Sequence, residues 1–222
     1  VLVTSAGFRL TTLLRKLRSS ESGLAFVEFA MSLPIVLMIS MYGLEIAWVA
    51  VQQQKVNQLA AVSADAAARV RSTIDETDLV EILTAAKVTG QQMKFAENGR
   101  LILSSVQLNA GGTGQWIRWQ RCIGDLKVNG TYVPSKYGAQ DAGKTDATLQ
   151  GVGRTRSLVA PSGNAIIVAE LTYNYQPLIS NAFFGARVLK AETAYLVRDR
   201  TDLSISNNAP LAATDVRTCA VS

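Results

Sequence analysis

Gly23-Leu24-Ala25-Phe26-Val27-Glu28-Phe29-Ala30, with the apolar run from Met31 to Val51 behind it, decides how the rest of the chain is read. From Leu24 to Val51 there are 28 residues and only two charges, Glu28 and Glu45. About 20 residues of helix, each rising about 1.5 Å, cross a bilayer core of about 30 Å. The segment is therefore long enough to span a membrane. It is too long, and too interrupted by Pro34, Gly43 and Glu45, for the apolar part of an ordinary secretory signal, and no small-x-small cleavage site closely follows it.

The flanks give an orientation. Arg9, Arg15, Lys16 and Arg18 precede the span, whereas Lys55, Asp65, Arg69 and Arg71 on the far side are mixed in sign. Basic flanks stay cytoplasmic, so the N-terminus is expected inside and the chain beyond about residue 52 outside. Tyr42 and Trp48 fall where aromatic rings settle at a membrane boundary, and Glu45 near the outer boundary is expected to be solvated or interfacial. Glu28 is the odd residue. A carboxylate in mid-bilayer costs about 2.5–3.5 kcal/mol on the insertion scale, and less near the interface. Either its side chain reaches back to the headgroups, or a partner compensates it.

A short basic leader, a Gly, four apolar residues, a Glu and a long apolar helix together resemble the processing site of type IV pilins. In that family a membrane-embedded prepilin peptidase cuts after the Gly, and the Glu fifth after the cut docks against a neighbour's N-terminus. The resemblance places the junction at Gly23 and Leu24 and gives Glu28 the assembly role. Val27-Glu28-Phe29-Ala30 followed by Leu33-Pro34 is more specifically similar to the TadE-like proteins of tight-adherence (Flp-type) pilus systems, over roughly residues 19 to 71. Leu24 departs from the Phe or Met that type IV pilins often carry there. The resemblance implies a minor pseudopilin or pilus-assembly protein of the bacterial inner membrane. It would have a single pass, a cytoplasmic N-terminus and a periplasmic domain, with or without later incorporation into a pilus. The implied partners are other pilins or pseudopilins, the assembly platform and the peptidase, and the implied assembly contacts are Glu28, Phe29 and Pro34. The alternative is an uncleaved single-pass anchor for a binding or sensor domain.

Composition narrows the chemistry. Histidine is absent, which removes Ser-His-Asp and Cys-His catalysis and most zinc arrangements. No catalytic set, metal site or cofactor is expected. The net charge of +5 comes partly from the basic leader, and no basic run with interleaved aromatics points to nucleic acid. The two cysteines, Cys122 and Cys219, both follow the span. In an oxidising compartment, without a His partner, they read as one disulfide tying the tail to the middle of the domain. Two buried free thiols are the alternative.

The remaining elements follow from periodicity. Leu10, Leu13, Leu14 and Leu17 recur at helical spacing in the leader. One long helix is expected over residues 24 to 71, kinked near Pro34. Its upper part carries an apolar stripe of Val56, Leu59, Val62, Ala66 and Val70, to pack either on its own domain or on other pilin helices. A second helix is expected from Thr73 to Lys87, capped by Asp78 with Glu81 completing the capping box and Gly90 stopping it. Strands are expected over Arg100–Leu108, Gln115–Ile123, Asn164–Tyr175 and Val188–Arg198. Trp116 and Trp119 are expected on opposite faces of the second. Gly111-Gly112-x-Gly114 is a turn, since no Lys-Ser/Thr and no helix follow to make a phosphate loop. Residues 124 to 160 read as a long loop, and Asp141 and Asp146 lack calcium-loop spacing. A turn is expected over residues 179 to 186 and a polar tail over 199 to 222. The ending Tyr173-x-Tyr175-x-Pro177 weakly resembles TadE-like C-terminal domains. The expected class is α+β: leader 1–23, membrane helix with its outer extension 24–71, and an extracytoplasmic domain 72–222 with a small antiparallel sheet.

Overall fold

The computed structural model describes residues 21–179 and 185–219, the side chains of Glu21 and Ser22 excepted. The leader helix and most of the 179–186 turn lie outside the described residues. Helix α1 runs from Glu21 to Arg69. Pro34 stands inside it, so the Ala30 carbonyl has no amide partner one turn on. Beside this gap the Ser32 hydroxyl donates to the Phe29 carbonyl at 3.0 Å. The chain divides between Ala47 and Trp48 into two compact units. The first is apolar helix, described with the candidate site below.

The second unit is built on a four-stranded antiparallel sheet. Strands β2 (Gly99–Leu108), β3 (Gln115–Ile123), β6 (Ala165–Asn174) and β7 (Val188–Leu196) lie in the order β3-β2-β6-β7. Alternation along β2 and β6 creates two apolar faces. Leu101, Leu103, Ile167, Ala169 and Leu171 point to one face, and Val106, Ile166 and Val168 to the other. The first face packs on the C-terminal part of α1 and on helix α2 (Glu76–Thr89). The second is covered by the segment between β3 and β6 through Tyr137, Leu149, Val152 and Ala160. That segment holds two short strands, β4 (Lys127–Val128) and β5 (Thr131–Tyr132). The fold is α+β.

The buried stripe of α1 differs from the expected one. Val56, Leu59, Ala60, Ala64, Ala67 and Ala68 face the sheet, while Val62 is 58% exposed. Alanines let the helix approach the sheet closely, so the seam follows the small residues rather than the largest apolar ones. The Ser63 hydroxyl on this seam donates to the Leu59 carbonyl at 2.8 Å. The helix end is closed from outside: Arg200 donates to the Ala67 carbonyl at 2.8 Å, and the Arg198 amide to that of Ala68 at 3.3 Å. Such bonds satisfy carbonyls that the last turn leaves unpaired.

The cap of α2 also differs. Asp75 is the N-cap, its carboxylate accepting from the Thr77 amide at 3.1 Å, and Asp78 at N3 accepts from the Asp75 amide at 2.9 Å. The expected pattern was shifted by three residues because β1 (Ile74–Asp75) is held extended by parallel pairing with β8 (Ile205–Ser206). A second correction concerns the tryptophans. Ser105 pairs with Trp119 but Val106 with Ile117, so Arg118 is an extra residue in β3. The bulge returns Trp116 and Trp119 to the same face, Trp119 fully buried and Trp116 partly exposed.

Candidate functional site: the apolar N-terminal helix

Among the described residues the apolar part of α1 is left exposed. The window that qualifies it as a membrane span has mean hydropathy 2.1, and none of it is buried. Phe26 and Met31 are each 72% exposed, and the pattern continues through Leu44 and Ile46. Soluble proteins rarely leave so large an apolar surface in water; a helix of this length and composition can cross a bilayer.

Glu28 is exposed in the middle of this surface. A helix advances about 100° per residue, so Leu24 and Glu28, four apart, lie on one face. Phe29 and Pro34 lie on two other sides of the helix, so the structure does not bring the three expected assembly contacts onto one face. Gly23 and Leu24 lie at the N-terminal end of the described part of α1. Glu45 departs from expectation. It is 1% exposed, not in contact with water, and it is engaged in the structure, as a buried carboxylate requires.

The folded unit contains a second cluster that invites a functional reading. Glu170 on β6 and Glu192 on β7 are direct cross-strand partners, beside a groove of about 690 Å³. Paired carboxylates in a groove are a common catalytic arrangement. Here the chain's own covering segment occupies them. Glu170 accepts from the Lys136 amide at 2.9 Å and from the Ser135 hydroxyl. Glu192 accepts from Lys136 Nζ at 2.6 Å, the Gly153 amide at 3.0 Å and the Tyr137 hydroxyl. Burial pushes the Glu170 carboxyl above its ordinary range against the pull of its two donors. Burial and the bond to Glu192 likewise raise the Tyr137 phenol. Through these bonds the pair fastens residues 135–153 to the sheet.

A third polar group, invisible in the sequence, is also structural. Arg121 on β3 meets Glu76, the first residue of α2, through Nε to Oε2 at 2.8 Å and a second contact from Nη2. Both side chains are 7% exposed. Its Nη1 donates to the Gln120 carbonyl at 2.7 Å and to Gln140 Oε1 at 3.1 Å. The residues are 45 apart in sequence, and no local signal links them.

Cys122 and Cys219 are joined by a disulfide, with Cα atoms 4.9 Å apart. The tail it tethers runs along β3: the Cys122 amide donates to the Arg217 carbonyl at 2.8 Å, and Arg121 bridges Thr218. Buried Arg100 adds Nη2 to the Cys219 carbonyl at 2.9 Å and Nη1 to that of Gly124 at 3.0 Å. Among the described residues no three His, Cys, Asp or Glu side chains group as metal ligands.

Comparison with known proteins bears on the helix alone. No curated protein and no solved structure matches the chain. Residues 23–65 match the family model described as TadE-like protein, a stretch that opens at Gly23 and contains Glu28, Phe29, Pro34 and the whole uncovered apolar surface. Over this N-terminal segment the chain is similar to the TadE-like family.

Proposed function

We propose that the chain is a minor pseudopilin or pilus-assembly subunit of a tight-adherence (Flp-type) system, structural rather than catalytic, which packs with other pilins through its N-terminal helix. The observation that carries this reading is a coincidence. The TadE-like match over residues 23–65 covers the same stretch that the fold leaves apolar and uncovered. In this reading residues 24 to about 51 sit in the bacterial inner membrane. The basic leader stays cytoplasmic and the domain faces the periplasm, where the Cys122–Cys219 disulfide is stable.

Prepilin peptidase cuts between Gly23 and Leu24. Glycine is a poor helix former, so the backbone at Gly23 is easily unwound for cleavage. The cut frees an α-amine on Leu24. Neighbouring subunits then pair this amine with Glu28. At about 4 Å such a pair is worth about 1 kcal/mol in water and about 4 kcal/mol at an effective dielectric constant of about 20. Each charge alone is expensive in lipid, and the pair satisfies both. Phe29 and Pro34, on other sides of the helix, meet different neighbours.

The test is the mass of the mature N-terminus in membrane extracts, with and without the host's prepilin peptidase. A start at Leu24 that disappears without the peptidase is expected. An intact leader in both strains refutes processing and favours the uncleaved anchor. Glu28→Gln should then be cut normally yet fail to enter pilus assemblies; incorporation equal to wild type refutes the pairing.

A further inference from the structure

The two ends of the sheet differ in charge. Strands β2 and β7 begin, and β3 and β6 finish, at the end that holds Gln53, whose Nε2 donates to the Lys190 carbonyl at 3.1 Å. Other segments are fixed to this end. The Tyr173 hydroxyl donates to the Met93 carbonyl at 2.7 Å, and the Tyr175 amide to that of Arg187 at 2.8 Å. Lys55 of α1 shares a cleft with Gly90 and Met93. Lys55, Lys94, Arg187 and Lys190 therefore gather here, and none of the four joins an ion pair among the described residues. The nearby acids are offset. Glu192 and Glu170 have Lys136 and Arg154 in their groove. Glu97 and Asp125 have Lys87, which shares a cleft with Asp125 and Tyr132, and Lys127, whose ammonium lies 4.4 Å from the Tyr132 ring centroid. At the opposite end the arginines are held by the fold: Arg69 and Arg198 both meet Asp65, and Arg200 the Ala67 carbonyl.

Apolar side chains stand among the unpaired cations. Val88 is 64% exposed and Val188 54%. Lys55 Nζ lies 5.8 Å from the ring centroid of half-buried Trp48, so this ammonium reaches back along α1 toward the start of the folded unit. Cations, exposed valines and a tryptophan together match a bilayer interface, where anionic headgroups meet acyl chains. We infer that this end of the folded unit is a lipid-docking face, resting on the anionic phospholipid headgroups of the membrane that α1 crosses; the inference rests on the membrane placement of residues 24 to about 51 proposed above.

Distances along α1 agree. Gln53, which holds β7, follows the end of the span by two residues, about 3 Å of helix. Ala67, which Arg200 holds, lies about 21 Å beyond Gln53 along the helix. The headgroup layer is about 5–8 Å thick on each side of the bilayer. The basic end is therefore at headgroup level, and the end that carries Arg200 stands clear of it. Attraction between the cations and an anionic surface acts over about 8–10 Å in physiological salt and fades at higher salt.

Both native cysteines are paired, so one added thiol carries one fluorescent label. Full-length protein is placed in nanodiscs of phosphatidylcholine, alone or mixed with phosphatidylglycerol, and each label is challenged with nitroxide-bearing lipids. A label on Met38→Cys, quenched by acyl-chain nitroxide in both discs, reports the span itself. A label on Val188→Cys should be quenched by headgroup nitroxide in the mixed discs, and much less in phosphatidylcholine or at high salt. A label on Thr201→Cys, beside Arg200 at the opposite end, should stay unquenched. Lys94→Glu with Lys190→Glu should lower the ratio of docked to undocked domain by at least about tenfold, with unchanged tryptophan fluorescence showing intact folding; Lys94→Arg with Lys190→Arg should retain it. Quenching at 188 that is equal in the two discs, or equal to that at 201, overturns the docking face and leaves the span in place. An unquenched Met38 label refutes the membrane reading and the docking face with it.

Discussion

Replacing Arg121 by leucine tests whether the buried ion pair orients α2 on the sheet. The guanidinium and the Glu76 carboxylate are each 7% exposed and share two contacts. Leucine fills much of the volume but strands the carboxylate, and losing one partner of a buried pair costs about 3–5 kcal/mol. Glu76 opens α2, where the helix dipole stabilises an anion by about 0.3–1 kcal/mol, so the lower end, about 3 kcal/mol, is expected. For a domain of this size that lowers the melting temperature by about 6–12 °C. Urea unfolding of the full-length protein in detergent, followed through tryptophan fluorescence to which fully buried Trp119 contributes, reads the change. The double variant Glu76→Leu with Arg121→Leu should recover most of the loss, because no charge is then left unpaired. An Arg121→Leu loss below about 1 kcal/mol, or a double variant equal to the sum of the singles, refutes the reasoning.

Other expectations follow from the same packing. The Asn208 and Thr77 amides hold the Asp75 carboxyl at about 2 against an ordinary 3.8. A depressed carboxyl stabilises the fold above its unfolded value and loses that effect as pH falls through the folded one, so Asp75→Asn should flatten the fall in stability between pH 4 and 2 in acid titrations monitored by circular dichroism. Cys122→Ser with Cys219→Ser opens a link between residues 97 apart and should lower stability by up to about 4–5 kcal/mol in the chain-entropy picture, measured against the oxidised protein in urea. Gly124 has φ +103, and a Cβ there would sit 2.2 Å from the Gly99 carbonyl oxygen; Gly124→Ala should destabilise by more than about 1 kcal/mol in thermal melts.

Much of the scaffold was legible because it rests on local periodicity. Strand β3 has the bounds expected from sequence, and β2, β6 and β7 end within two residues of theirs. The apolar helix announced itself by length and by its lack of charge. What escaped depends on residues far apart. The cap fell on Asp75 because residues 74–75 pair with 205–206. The Arg118 bulge reveals itself only in the register against β2, and it moved Trp116 to the face of Trp119. The segment 124–160 looked like a polar loop because its few apolar residues, such as Tyr137, Leu149 and Val152, have no period; they are spaced to meet the far face of the sheet. The helix that carries Gly23, Leu24 and Glu28 was legible as an apolar segment, while the roles of those residues as junction and assembly contact rest on the proposed function. Which basic residues share one end of the sheet could not be read at all, because strand order is not local information.

The pairing of β2 with β6 sets the tempo at which this domain matures. Strands β2 and β3 are joined by a six-residue turn and can close as a hairpin in about 1–10 μs. The central position of β2 is completed only by β6, which begins at Ala165 after the whole covering segment. As the chain emerges stepwise the hairpin would present Leu101 and Leu103 to solvent until β6 arrives. Nascent chains with unpaired strand edges aggregate, so the exposed interval is governed by how fast residues 124–164 follow. Lengthening that segment adds little loop-closure entropy, about 0.6 kcal/mol per doubling, yet it prolongs the vulnerable state. For this fold, insertions between β3 and β6 should therefore reduce the yield of folded protein well before they reduce the stability of the molecules that succeed in folding.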